Sequence, residues 1–345
     1  MELNIVKKIP IGIDATSVAV TDNHVVTTTG QDDFCVVADL GQSGKNALSA
    51  QKFTAPAGRE QVLFSGKNTV VALMNGRTEA VISYSGLEMT MAFGSRQING
   101  AAVSNDGEKV AFFLEDLPLP ALDQKYFAQV DNVYVIELAN VMVPGLEVGS
   151  GLNLDLGLLQ ADIAGLGHAG AVTTMRPVMY EDAPPYYEAL AGAFISGSGN
   201  VFILAFDAAK ELLVCFVFTA EGEPIEMGYF DAVTNMGMNN RCCVAGNVAY
   251  AISNKGQVIY AYDLDSYSEY SILVRDKQIL DIAVFKEQLF ALVWNTQTTL
   301  YELLDQQLNV VASDSSYAAL AVSEQYLIVP SGNSVYLGVV SENGK

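Results

Sequence analysis

Short apolar runs alternate with polar turns along most of the chain. SVAVTDNHVVTTT from Ser17, QVLFSGKNTVVALM from Gln61, GAAVSNDGEKVAFFL from Gly100, RCCVAGNVAYAIS from Arg241, DIAVFKEQLFALVW from Asp281 and LAVSEQYLIVP from Leu320 share one form. Each is an apolar run, a short polar turn and a second apolar run. The runs are β-branched or aromatic and only a few residues long, which favours strand over helix. Turns such as SNDG and AGN carry residues that tolerate positive φ, as tight hairpins require. A third strand follows each pair: DFCVVADL, EAVISYSG, NVYVIELA, QVIYAYDLD, TTLYELLD and SVYLGVVS. A fourth follows several of them: KFTAPAG, EMTMAFG, EYSILVRD and LNVVASD. The stretch from Thr174 to Glu221 reads as one further unit, MRPVMYE, ALAGAFISG, NVFILAFD and LLVCFVFTA.

The pattern predicts an all-β chain of seven four-stranded units, most of them about forty residues apart. On this repeat the chain resembles the seven-bladed β-propeller superfamily over nearly its whole length. The resemblance is to the fold and selects no family. The WD and GH signatures of WD40 repeats, the double glycines of kelch repeats and the S-x-D-x-G-x-T-W box of sialidases are absent. It implies a single domain over residues 1–345, built of antiparallel blades. The last unit supplies only three strands, and LNIVKKIP precedes the first unit as a spare strand. Leu3 to Ile9 is therefore expected to pair with Ser334 to Val340, closing the ring and removing an exposed edge. Residues 143–172 are read as an insertion between blades three and four, with a short helix around Leu154 to Ile163. A long excursion of this kind maps to a loop on one face.

Composition narrows the function. Of the 345 residues, 50% are hydrophobic and 17% charged, which is ample for a large core. The net charge of −21 repels nucleic acid and anionic membranes, so neither nucleic acid nor membrane insertion is expected among the partners. The N-terminus lacks the apolar h-region of a signal peptide, and no apolar run is long enough to span a bilayer. Cys35, Cys215, Cys242 and Cys243 form no CxxC, and three of them sit in apolar runs as small buried hydrophobes. Cys242 and Cys243, adjacent on an innermost strand, are expected to face opposite neighbouring blades. Together these features predict a soluble protein of the cytoplasm, or of an assembly built from it.

Candidate chemistry is sparse. GLGHAG, Gly165 to Gly170, spells the dinucleotide fingerprint, but strand-like AVTTMRPVMY follows it and no βαβ unit surrounds it. Without a helix N-terminus behind the glycines there are no converging amides for a pyrophosphate. The only histidines are His24, in a turn, and His168, in the insertion, so paired-His zinc motifs are absent. No GxSxG or EF-hand loop occurs. No cofactor and no metal is expected.

Arginine is the more informative residue. There are six: Arg59, Arg77, Arg96, Arg176, Arg241 and Arg275. Strand direction alternates within a blade, so blade-to-blade loops share one face with the turns between second and third strands. Arg59, Arg96 and Arg275 read as blade-to-blade loop residues. Arg176 and Arg241 read as the starts of innermost strands nearest the channel mouth, and Arg77 lies in the turn NGRT. All six fall on one face. The other face collects Asp22, Asp106, Glu108, Asp207, Glu211, Asp263, Asp265, Glu287, Asp305 and Glu324. Guanidinium groups suit planar recognition of carboxylates and phosphates. The alternative is that they pair with acids such as Asp14, Glu60 and Asp281 and knit blades together. The expected function is a non-catalytic protein-interaction platform, or a component of a larger assembly. It would dock protein partners, acidic ones in particular, on the loop-rich arginine-bearing face. A propeller hydrolase of lactonase or glycosidase type, or a carbohydrate- or ligand-binding module, is the competing reading.

Overall fold

The structure is a computed structural model. It describes residues 1–28, 35–41, 48–51, 61–74, 78–85, 87–93, 96–115, 132–141, 152–155, 172–175, 187–207, 210–230, 240–252 and 256–341. The chain opens with β1 (Glu2–Pro10). Blade one follows as β2 (Ser17–Val20), β3 (His24–Thr28), β4 (Cys35–Asp39) and β5 (Leu48–Gln51). Blade two is β6 (Gln61–Gly66), β7 (Thr69–Met74), β8 (Glu79–Tyr84) and β9 (Leu87–Ala92). Blade three starts with β10 (Ile98–Val103), β11 (Lys109–Leu114) and β12 (Val133–Glu137). A single helical turn, α1 (Leu138–Val141), and the strand β13 (Leu152–Asp155) come next, before the outer strand β14 (Val172–Met175). Blade four is β15 (Tyr187–Phe194), β16 (Val201–Asp207), β17 (Leu212–Phe218) and β18 (Pro224–Phe230). Blade five is β19 (Arg241–Ala245), β20 (Val248–Ile252), β21 (Val258–Asp263) and β22 (Ser268–Leu273). Blade six is β23 (Lys277–Phe285), β24 (Gln288–Asn295), β25 (Leu300–Leu304) and β26 (Val310–Asp314). Blade seven is β27 (Ala321–Val322), β28 (Leu327–Ser331), β29 (Ser334–Ser341) and the returning β1.

These seven antiparallel sheets form a ring. Their innermost strands touch in turn from β2 round to β27, which meets β2 again. Seven apolar clusters fill the ring, one at each junction between adjacent blades. This explains the pattern in the sequence. A second or third strand is covered on both faces by its neighbours, so VFILAFD and LLVCFVF are apolar throughout rather than alternating. Close packing also sets glycine positions. At Gly192 on β15 a Cβ would collide with the Phe113 ring from blade three and with the Phe202 carbonyl.

Closure follows the expected register, with Leu3 opposite Val340 and Ile9 opposite Val335. Leu3 and Ile9 are buried, and Leu3 lies over Gly338, where no side chain would fit beneath it.

Three placements differ from the sequence expectation. Val172–Met175 pairs antiparallel with β12, so it is the outer strand of blade three. The excursion at 143–172 therefore falls inside blade three rather than between blades three and four. Blade four starts one strand later than expected: ALAGAFISG supplies its innermost strand, and PIEMGYF its outer one. The pairing to β12 is long-range, and nothing local separates an outer strand from an inner one. In the excursion, the helix expected from Leu154 is instead a strand at its start. Leu152–Asp155 pairs parallel with β9 as a fifth strand on blade two. The remainder of Leu154 to Ile163, and GLGHAG with His168, lie outside the described residues. So does KFTAPAG; the outer strand of blade one is Leu48–Gln51 just before it.

Candidate functional site

Two faces follow from the topology. One carries the blade-to-blade loops and the turns between second and third strands. The other carries the remaining hairpin turns, the start of β1 and the end of β29. The corrected blade four moves Asp207 and Glu211 to the blade-to-blade face, because β16 and β17 are its second and third strands.

The hairpin face is acidic, and several of its carboxylates serve its turns. Asp106 Oδ1 accepts from Ser104 Oγ at 2.6 Å and from Glu108 N at 3.0 Å. Asp263 Oδ1 accepts from Asp265 N and Ser266 N at 3.0 and 2.7 Å, and Asp305 Oδ1 from Gln307 N and Asn309 N at 3.0 and 2.9 Å. For Asp263 the Ser266 hydrogen bonds hold the carboxyl below its ordinary range. For Asp106 burial pushes upward, but the bonds from Ser104 and Glu108 and the Lys109 charge outweigh it, so the carboxyl is again held low. His24 begins β3 exposed, its backbone N–H bonded to Thr21 Oγ1.

The arginines divide. Arg96 is buried at 6% exposure, and its Nη2 donates to the Glu115 carbonyl at 3.1 Å. Arg275 is exposed between β22 and β23. Arg59, Arg77 and Arg176 lie outside the described residues, but the strand ending just before Arg176 is the outermost of blade three. The innermost strand of blade four, among the described residues, is Tyr187–Phe194. Arg241 does begin an innermost strand.

Arg241 crosses the axis of the ring. Its Nε lies 3.6 Å from Asp281 Oδ1 on β23 of blade six. Its guanidinium sits 4.7 Å from the ring centroid of Phe64 on β6 of blade two, which faces blade five across the channel. Asp281 Oδ2 accepts from Leu320 N at 2.9 Å, just before β27 of blade seven. One guanidinium–carboxylate pair thus links blades two, five, six and seven through the centre. Burial raises the Asp281 carboxyl above its ordinary value, against the pull of Arg241 and of the Leu320 and Ile282 amides. Around the same channel Asn99 Nδ2 on β10 donates to Glu188 Oε1 and to the Ala189 carbonyl on β15, at 3.0 and 2.9 Å. Ser17 Oγ and Ser65 Oγ accept the Leu63 and Val20 amides at 3.0 and 2.8 Å, joining blades one and two. The polar groups of the inner strands are largely engaged in holding blades together.

The adjacent cysteines behave as their strand position requires. Cys242 packs into the cluster shared with blade four and Cys243 into that shared with blade six. Burial raises both thiols. Asp281 was named in the sequence as a pairing acid, but its partner could not be read there. Phe64 gave no signal at all, since a phenylalanine in a strand reads as core.

Among the described residues no group of three His, Cys, Asp or Glu side chains is placed to hold a metal ion. None of their helices is long and apolar enough to cross a membrane.

No family model matches the chain, and no curated protein matches it. Solved structures do match it. The β-propeller domain of Myceliophteria thermophila Cps50 (Swd1) superimposes with a TM-score of 0.63 at 10% identity, over 98% of this chain and 100% of that one. The chain is a seven-bladed β-propeller. A chain of the mitotic checkpoint complex gives a TM-score of 0.60 at 10% identity, covering 99% of this propeller and 94% of that chain. Kuenenia stuttgartiensis hydrazine synthase gives 0.59 at 9% identity, over 95% of each chain. An enzyme and assembly components thus share the ring, and identities this low carry the fold alone.

Proposed function

We propose that this propeller is a non-catalytic interaction platform, a rigid disc that docks protein partners on its blade-to-blade face within a larger cytoplasmic assembly. The observation that carries the reading is the axial Arg241–Asp281 pair, with the guanidinium over the Phe64 ring. It occupies the centre of the ring, where converging inner strands would otherwise offer a substrate site. The occurrence of similar rings in Cps50 (Swd1) and in the mitotic checkpoint complex supports it at the level of fold.

Arg241 and Arg96 act in this reading as braces. Docking falls to Arg275, which is exposed, and to Arg59, Arg77 and Arg176, with an acidic protein segment as partner. The test is quantitative capture of partners from the native source by the full chain. Arg59→Glu combined with Arg275→Glu should remove the set captured on this face, and Glu324→Lys, at an exposed position on the other face, should leave it intact. The reverse result places the working face on the hairpin side. Turnover of a lactone or glycoside by the purified chain, abolished by Asp281→Asn, would replace the platform with a hydrolase.

A further inference from the structure

The outer strands of the blades treat their free edges differently. A bare edge offers a row of unpaired N–H and C=O groups, and proteins blunt it with lysines, proline, bulges or brevity. β1 carries Lys7 and Lys8, and its register shifts between Ile5 and Lys7. β18 begins at Pro224, and its pairing with β17 shifts at Phe218. β26 is bulged opposite Leu304. β5 and β14 are only four residues each. Two outer strands have no lysine, proline, bulge or brevity, and each carries a single glutamate, Glu88 and Glu269. β9 and β22 are each six residues long and pair with β8 and β21 in unbroken register. β9 is already taken, because β13 adds to it in parallel, Leu152 opposite Met89 through Asp155 opposite Ala92. β22 stands last in its sheet.

We propose that β22 is a strand-acceptor edge, and that its occupant is an extended basic segment of a partner protein. The surface lies on the rim and is separate from the blade-to-blade face. Three observations converge on it. The geometry that accepts β13 on blade two is repeated on blade five without an occupant from the described residues. Two of the seven large hydrophobics that those residues leave exposed lie on it, Tyr270 at 45% and Leu273 at 51%, and a third, Tyr267 at 44%, lies in the turn just before it. Tyr270 and Leu273 fall on opposite faces of the sheet, so each would flank a side chain on one face of an added strand. The local charge is negative, with Asp263 and Asp265 at the turn into the strand, Glu269 on it and Glu226 on the adjacent β18. Arg275 and Asp276 beyond its end offset each other, and Lys277 is paired with Glu302 at 2.7 Å. A second copy of the chain would bring its own net charge of −21 to the edge, so a basic segment fits and self-association does not.

The probe is a capped peptide of alternating lysine and valine, titrated against the full chain in 0.15 M salt. Its control is the same peptide N-methylated on alternate residues, which keeps every charge but loses the pairing donors of one edge. The parent peptide should bind and slow amide exchange within residues 268–273, with the methylated form about tenfold weaker or worse. Ser271→Lys with Leu273→Lys, both exposed positions, installs the guard that β1 carries and should abolish binding while leaving the melting temperature unchanged. Equal binding of the two peptides, protection elsewhere than 268–273, or no binding at ~1 mM peptide would each overturn the proposal. Concentration-dependent dimerisation of the chain lost in the lysine variant would assign the edge to a second copy instead.

Discussion

The axis and the rim of this ring use the same charged groups to different effect. At the axis Asp281 is buried, Arg241 is three-quarters covered, and their contact of 3.6 Å is supplemented by an aromatic ring and two backbone amides. Toward the outside Lys109 and Glu137 lie closer, at 2.9 Å, yet their side chains are 29% and 38% exposed. Distance alone would rank the second pair higher. Water reverses the order: it screens the exposed pair, whereas removing one partner at the axis strands a charge that cannot be solvated. Burial, and not separation, decides which ion pair holds the ring.

The largest test of this contrast is a rim strand that is mostly exposed but buries two apolar side chains. Deleting residues 1–10 removes β1 with its buried Leu3 and Ile9, leaves β29 as an open edge and uncovers the apolar surface those two side chains cover. Those two side chains alone represent roughly 3–6 kcal/mol of burial. Thermal unfolding should shift sharply downward and lose cooperativity. A truncated chain that melts with the full-length protein would show that closure does not stabilise the ring.

At the axis, Arg241→Ala leaves Asp281 without its counter-charge. The cost should be about 3 kcal/mol, at the low end of the range for breaking a buried pair because Arg241 keeps some contact with water. Arg241→Lys should recover only part of it, since an ammonium cannot lie flat on Phe64. Chemical denaturation of both variants measures this. Equal stability of the alanine variant and wild type would mean that the axis is no more costly to disrupt than the surface.

Acid distinguishes the two regions by sign. Asp281 is raised in the folded state, so it favours folding at low pH, and that contribution is lost as pH rises from its unfolded value through the raised one. Asp106 and Asp263 are held low, so their contributions exist above the ordinary carboxylate range and are lost as pH falls through the lowered values. The melting-temperature gap between wild type and Asp281→Asn should therefore move in favour of wild type from about pH 7 to about pH 4. A gap that stays flat or moves the other way would show that the Arg241 charge outweighs burial at Asp281. The smallest effect belongs to Lys109→Ala, at most ~1 kcal/mol and about 2 °C in Tm, diminishing further with added salt.

Much of the ring is legible in the sequence for a local reason. A blade is a meander, each strand pairs with the next in the chain, and the apolar run, polar turn and apolar run repeat wherever that pairing holds. Blades five and six, from Arg241 to Asp314, follow it without interruption. Closure is legible as well, because a missing strand at one end matches a spare one at the other. The pattern misleads only where the chain leaves the meander. VTTM at Val172 reads like the first strand of the next unit, and it takes the hydrogen bonds to β12 to make it the last strand of the previous one.

The candidate site was half visible. Six arginines on one face can be counted from strand alternation, because alternation depends only on chain order. Whether an arginine is free or enclosed depends on what stands opposite, and on that the sequence is silent. Arg96, Arg241 and Arg275 look alike in the chain, yet they are buried, axial and exposed respectively. The sequence by itself determined most of the strands, their number per blade and the strand that shuts the ring, since these follow from periodicity and chain order. Only the tertiary structure decided that Arg241 meets Asp281 and Phe64 across the centre, and that β13 covers β9 while no strand among the described residues covers β22. Those contacts join residues from blades far apart in the chain, and no short-range pattern encodes them.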